Sequence, residues 1–154
     1  MASNERFRRP RQHADLIASL SDKLDSPFTT MVEAMMFAAM LGRRKGKRES
    51  FEQHDEPIRI SAMEQRPYGE IMLDMLAAVE HQDDPKILSD DRAAERVLIF
   101  EEYANGGLSY LQAQINRHSN QAADVVIANL VLEELVPKQE DGIGQVMKSA
   151  SLGW

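Results

Sequence analysis

One segment constrains the fold more than any other. Residues 31–41 read Met-Val-Glu-Ala-Met-Met-Phe-Ala-Ala-Met-Leu, with Glu33 as their one charge. A helix built from them has almost no polar side. It must sit in the middle of a helical core or in an interface between copies, which leaves a homo-oligomer open. Thr29 or Thr30 can cap its start. Glu33 stands three residues after Thr30, the spacing at which two side chains satisfy the free N–H groups of a first turn. The helix is expected to end at Leu41 or Gly42, glycine being the common residue just past a helix.

Periodicity places other helices around it. Leu16, Ile17, Leu20 and Leu24 share one side of a first helix, about 11–24, which Asp25-Ser-Pro-Phe then breaks. Tyr68, Met72, Met75, Leu76 and Val79 share one side of a helix over 68–79. Ser89 or Asp90 caps the next, which runs to Asn105-Gly-Gly, is interrupted there, and resumes from Leu108 to Arg117. A last helix fits 120–136 and stops at Pro137. Pro57-Ile-Arg-Ile alternates like a short strand whose partner the sequence does not reveal. The expected fold class is mainly α, a compact bundle of about five helices with one short β-strand or hairpin near residues 57–61. The 154 residues then comprise a flexible basic arm (1–11), a single helical domain (12–137) and a tail (138–154) that is either disordered or docks through Trp154.

Several function classes drop out. Without cysteine there is no disulfide, thiolate nucleophile or Cys-ligated zinc. No apolar stretch follows the N-terminal charges, and none approaches the roughly 20 residues a membrane span needs. A cytoplasmic protein with no membrane contact is expected. His13, His54, His81 and His118 lack convergent spacing, so no metal is expected. Neighbouring carboxylates such as Glu101 and Glu102 diverge by about 100° on a helix and cannot share one proton. Glu101 falls on the apolar side of its helix, which fits a buried ion pair beside an arginine. There is no phosphate-binding loop, dinucleotide fingerprint or nucleophile elbow, so neither a cofactor nor an enzyme is expected. Met31, Met35, Met36, Met40, Met63, Met72 and Met75 read first as core packing and second as an adaptable binding surface.

The net charge of −7 hides a division. Up to Arg48 there are ten basic and five acidic residues, a surplus of +5; beyond it eight basic and twenty acidic residues leave −12. Arg43, Arg44, Lys45, Lys47 and Arg48 lie within six residues around Gly46, and Arg6, Arg8, Arg9 and Arg11 make a second cluster. A basic loop of this kind can follow a phosphate backbone. It carries few base-reading groups and no interleaved aromatic residue, so contact with DNA would be largely independent of sequence. The candidate DNA-binding residues are Arg8, Arg9, Arg11, Arg43, Arg44, Lys45, Lys47 and Arg48. An acidic protein surface is the rival partner, and cations at a helix C-terminus also favour the helix dipole.

Three stretches carry a family resemblance: Pro27-Phe-Thr-Thr-Met-Val-Glu-Ala-Met-Met-Phe-Ala-Ala-Met-Leu-Gly with its basic sequel, Glu56-Pro-Ile-Arg-Ile, and Glu101-Glu-Tyr-Ala-Asn-Gly-Gly-Leu. In that order, over about residues 8–117, they resemble small accessory proteins encoded with bacterial DNA phosphorothioation (Dnd) and related phage-defence systems. The resemblance implies work beside larger enzymes in DNA modification or anti-phage defence, and no catalytic residue comes with it. It favours a non-enzymatic DNA-binding module. A structural adaptor docked on a larger defence enzyme is the alternative, and a small helical transcription regulator a third reading.

Overall fold

Thr30 begins the central helix, as its spacing to Glu33 predicts. Its hydroxyl accepts the Glu33 N–H at 3.2 Å and lies 3.4 Å from the Glu33 carboxylate. The computed structural model describes residues 5–22 and 24–135, and the chain divides between Gln114 and Ile115 into two compact units. In the first unit helix α2, Met31–Arg44, buries Val32, Ala34, Met35, Ala38, Ala39 and Leu41. It does not stop at Gly42. That glycine lies inside the helix because the backbone of another helix presses on it: an added Cβ would stand 2.0 Å from the Tyr103 carbonyl oxygen. The left-handed residue that closes the helix is Gly46, φ 66°, and the Lys47 N–H returns to the Gly42 carbonyl at 2.8 Å.

That second helix is α5, Ala93–Arg117, and it runs unbroken through Asn105-Gly-Gly. The expected interruption is absent because the two glycines serve close approach rather than a turn. A Cβ on Gly107 would lie 1.8 Å from the Ala38 carbonyl, and one on Gly106 1.9 Å from that of Lys47. The α2–α5 contact is thus backbone against backbone at Gly42 and Gly107, and Gly106 receives the backbone of Lys47 just past α2.

The N-terminal segment corrects the expectation of a flexible arm. Strand β1, Arg6–Phe7, pairs antiparallel with β2, Ile58–Arg59, so the partner missing for the Pro57-Ile-Arg-Ile strand is the chain's own beginning. Phe7 is fully buried and meets the Phe100 ring edge-to-face at 5.2 Å, an arrangement that adds to the burial of both rings. Pro10 bridges to His54, and the Arg11 N–H donates to the Gln53 carbonyl. A 3-10 turn, Arg11–His13, leads into α1, Ala14–Ser21, which buries Leu16, Ile17 and Leu20. The helix stops short of Leu24, which is fully exposed. A short helix that the sequence did not signal, α3 (Ile60–Glu64), follows β2, and α4 covers Gly69–Glu80. In the second unit, residues 123–135 form α6; Val126 and Leu130 are buried, while Val125 and Leu135 are exposed.

The molecule is mainly α, with six α-helices and one two-stranded sheet among the described residues. No helix there is long and apolar enough to cross a membrane. The tail at 138–154 lies outside the described residues.

Candidate functional site

The structure takes most of the predicted DNA-binding arginines into its own contacts. The Arg8 guanidinium donates to Glu101 Oε1 through Nη2 at 2.9 Å and Nε at 3.0 Å, and the Arg8 backbone N–H reaches Glu101 Oε2 at 2.5 Å. Glu101 is 4% exposed, so the predicted buried pair exists and its cation comes from the supposed arm. Arg8 also lies over the Phe51 ring. Arg9 holds the Glu56 carbonyl through two nitrogens, and Arg11 pairs with Asp55 and the His54 carbonyl. These three therefore tie β1 and the chain after it to α5 and to the loop before β2.

Arg48 is the hinge of a second network. Its Nη1 donates to Glu80 Oε2 at 2.6 Å and its Nε to Glu102 Oε1 at 2.7 Å, joining α4 to α5. The Tyr103 hydroxyl donates to the other Glu80 oxygen at 2.5 Å. Burial pushes the Glu80 carboxyl up, but the bonds from Tyr103 and Arg48 and the charges of Arg48 and Arg43 outweigh it and hold the group below its ordinary range. Burial and the bond to Glu80 raise the Tyr103 phenol. Arg48 works as a clamp between α4 and α5 at the surface.

The remaining cations sit where α2 ends. Arg44 and Lys47 are exposed and Lys45 half-buried, with the Lys45 ammonium 5.3 Å from the Tyr110 ring centre. Their backbone is fixed. Lys45 and Lys47 donate to the Leu41 and Gly42 carbonyls, and the Glu49 N–H bonds Glu102 of α5. Buried Asn105 continues the seam, donating to the Glu49 carbonyl at 3.1 Å and accepting from Gln12 at 3.0 Å. Asn105 falls in the Asn-Gly-Gly that reads as a break, which is why sequence reasoning passed over it.

A third polar cluster joins His13, Ser109 and Glu49. The Ser109 hydroxyl donates to Glu49 at 2.9 Å, and His13 Nε2 lies 3.1 Å from the same oxygen. Burial lowers the His13 pKa, opposed in part by the Glu49 charge. A nucleophilic serine needs a histidine to take its proton and an acid to orient that histidine. Here the acid takes the serine proton and makes no bond to His13, so the cluster fastens the chain start to α5. Among the described residues, no three His, Asp or Glu side chains converge as a metal site.

An apolar surface of the first unit is left uncovered. Between α2 and α4 runs a groove of about 330 Å³ lined almost wholly by apolar atoms, with Met36, Met40, Tyr68, Met72, Met75 and Val79 among its walls. Met40 and Met75 are 50% and 48% exposed. The methionines thus divide: Met35 and Met63 are core, Met36, Met40 and Met75 face the groove, and Met72 is a buried residue at its floor. Tyr68, at the start of α4, takes a left-handed φ of 66° and is 80% exposed at the groove's edge. A bulky residue rarely holds that conformation. The next residue, Gly69, lies against the Met63 carbonyl with no room for a Cβ. Arg43 closes the groove on the side of the basic turn. Its guanidinium carbon is 6.0 Å from the Tyr103 ring centre, and its Nε is buried with no hydrogen-bond partner.

The sequence matches the family described as DNA sulphur modification system-associated protein 4 over residues 6–146. The chain belongs to this family. It is therefore an accessory protein of a DNA sulphur modification system, the setting that the resemblance implied, and the match takes in β1 and all of α6. No curated protein and no solved structure matches the chain. The three stretches that carried the resemblance are those on which the first unit is built: α2 with its sequel, β2, and the middle of α5, where Glu101, Asn105, Gly106 and Gly107 receive the rest.

Proposed function

We propose that this member of the family is a non-enzymatic adaptor that holds a larger protein of its DNA sulphur modification system in the groove between α2 and α4. One observation carries the reading: of the eight cations assigned to DNA, Arg8, Arg9, Arg11 and Arg48 bond carboxylates or carbonyls of the chain and Arg44 and Lys45 have contacts within it too, whereas the apolar groove stays open. Exposed apolar grooves rimmed by polar groups mark interaction sites. Tyr, Met and Arg, which make up much of this one, are enriched at the centres of protein interfaces. The polar clusters support a binding role over a catalytic one, since Glu101, Glu80 and Ser109 each have their hydrogen bonds taken by structural partners. The test is co-expression with the larger proteins encoded beside this chain, followed by nuclease treatment and purification. One of them is expected to stay bound, and to stay bound when Arg44, Lys45 and Lys47 are changed to Ala. Release of every one of them after nuclease treatment overturns the reading.

DNA contact is the second reading, favoured by the fixed turn that carries Arg44, Lys45 and Lys47 together at the end of α2. Three phosphate contacts give a shallow salt dependence, with a log–log slope of about −3. A duplex titration from low to moderate salt tests it: a slope near that value, abolished by the triple Ala change, supports DNA contact, and no binding at low salt removes it.

A further inference from the structure

We infer that the occupant of the groove is an amphipathic α-helix of the partner protein, seated with its apolar side on Met36, Met40, Met75 and Val79 and with one carboxylate on Arg43. The inference rests on the adaptor reading and adds the chemistry of the partner. Three observations point to it.

The groove offers side chains and almost no polar atoms. An extended segment laid there would bring backbone N–H and C=O groups with nothing to pair them. A helix satisfies its own backbone and needs only an apolar stripe. The walls suit it, because Met36, Met40 and Arg43 stand at i, i+4 and i+7 along α2, and Met72, Met75 and Val79 at i, i+3 and i+7 along α4. Two such ridges leave a furrow that the side-chain ridge of a third helix can enter. Methionine is unbranched and polarisable, so Met36, Met40 and Met75 can shape themselves to the ridge.

Arg43 supplies the charge. A buried donor without an acceptor costs free energy, and in folded proteins such groups are few. The acid whose carboxyl the Arg43 charge reaches, Glu80, has one oxygen held by Tyr103 and the other by Arg48. Arg43 lines the groove as well, where the open part of its guanidinium can meet a carboxylate of the occupant. A planar guanidinium takes a carboxylate through two parallel bonds, so an Asp or Glu at the edge of the helix's apolar stripe fits. The third observation is Tyr68. Its strained backbone presents a large amphipathic ring at the groove's edge, and strain of this kind gathers at ligand clamps.

The experiment is an array of overlapping 20-residue peptides tiling the larger proteins encoded beside this chain, probed with the full-length protein. Binding peptides are then measured by fluorescence anisotropy and circular dichroism. The expected binders have apolar residues at i, i+3 or i+4 and i+7 with an Asp or Glu beside them, and they gain helix on binding. Arg43→Glu should weaken them at least tenfold, and changing the peptide's acid to Lys should restore binding to that variant. Arg43→Gln serves as the milder change should the reversal disturb folding, with an expected loss of several-fold. Binders that lack an acid, binders that stay extended, or no binder at all overturn the inference. So does a concentration-dependent dimer that Met40→Glu dissolves, since a second copy would then be the occupant. If a full-length partner is held by the wild type and lost with Met75→Glu while no helical peptide binds, the occupant is wrong and the adaptor stands. If no full-length partner is held, the adaptor reading fails with it.

Discussion

At the scale of single residues, the positive charge of the first third does structural work. Arg8 gives Glu101 three donors, and Glu101 is buried. Removing one member of such a pair leaves a charge without compensation. Arg8→Ala should therefore cost about 3 kcal/mol in a denaturant melt, whereas the same change in a solvated arm would fall within about 0.5 kcal/mol. Arg48 and Tyr103 hold Glu80 below its ordinary range. A carboxyl depressed in the folded state contributes stability that is complete above its unfolded value, about 4.3. That contribution is lost as pH falls through the folded value. Thermal stability should thus drop below about pH 4.5. Glu80→Gln should be less stable than wild type at neutral pH and lose less of what it has on acidification. Parallel pH profiles of the two proteins would contradict this account of the clamp. The pairing of Arg8 with Glu101 was half legible: Glu101 on an apolar side asked for an arginine, but a chain start rich in arginine looks the same whether it is solvated or engaged.

At the scale of elements, glycine decides how α2 and α5 meet. Gly42 reads as a helix end and Asn105-Gly-Gly as a break, because a sequence shows that glycine is required and not why. Both sites lie inside helices, where the missing Cβ admits backbone. Gly107→Ala would place a methyl group 1.8 Å from the Ala38 carbonyl. Backbone cannot move aside as a side chain can, so the helices must separate, at a cost of about 3 kcal/mol. Gly46→Ala meets open space, but its positive φ strains an L-residue, so a smaller loss of about 1 kcal/mol is expected. Chemical denaturation of both variants checks the order, and a Gly107→Ala melt equal to wild type would refute the close crossing. The α2 start was fully legible, since a capping box is local chemistry within four residues. The β1–β2 pairing was not, because it joins positions some fifty residues apart and one strand carries no mark of its partner.

At the scale of the whole molecule, charge segregation pointed at DNA and packing redirected it. Arg8, Arg9, Arg11 and Arg48 bind carboxylates and carbonyls that the remainder supplies, including Glu101, Glu80 and Glu102 from the acidic part of the chain. Part of the apparent polarity is thus the two halves of one unit neutralising each other. Among the described residues of the first unit, the groove between α2 and α4 stays open. The groove was foreshadowed by the methionine pattern, but periodicity assigns all of Tyr68, Met72, Met75 and Val79 to one helix side without saying which end of that side the core covers. Met72 and Leu76 are covered; Tyr68, Met75 and Val79 are not. The measurement that bears most directly on the adaptor is a calorimetric titration of a purified partner protein of the system with three forms of this chain: wild type, Met40→Glu with Met75→Glu, and Arg44→Ala with Lys45→Ala and Lys47→Ala. The account predicts that the groove variant melts like wild type yet binds at least a hundredfold more weakly, while the turn variant binds as wild type does. Full affinity in the groove variant, with loss confined to the turn variant, would contradict it.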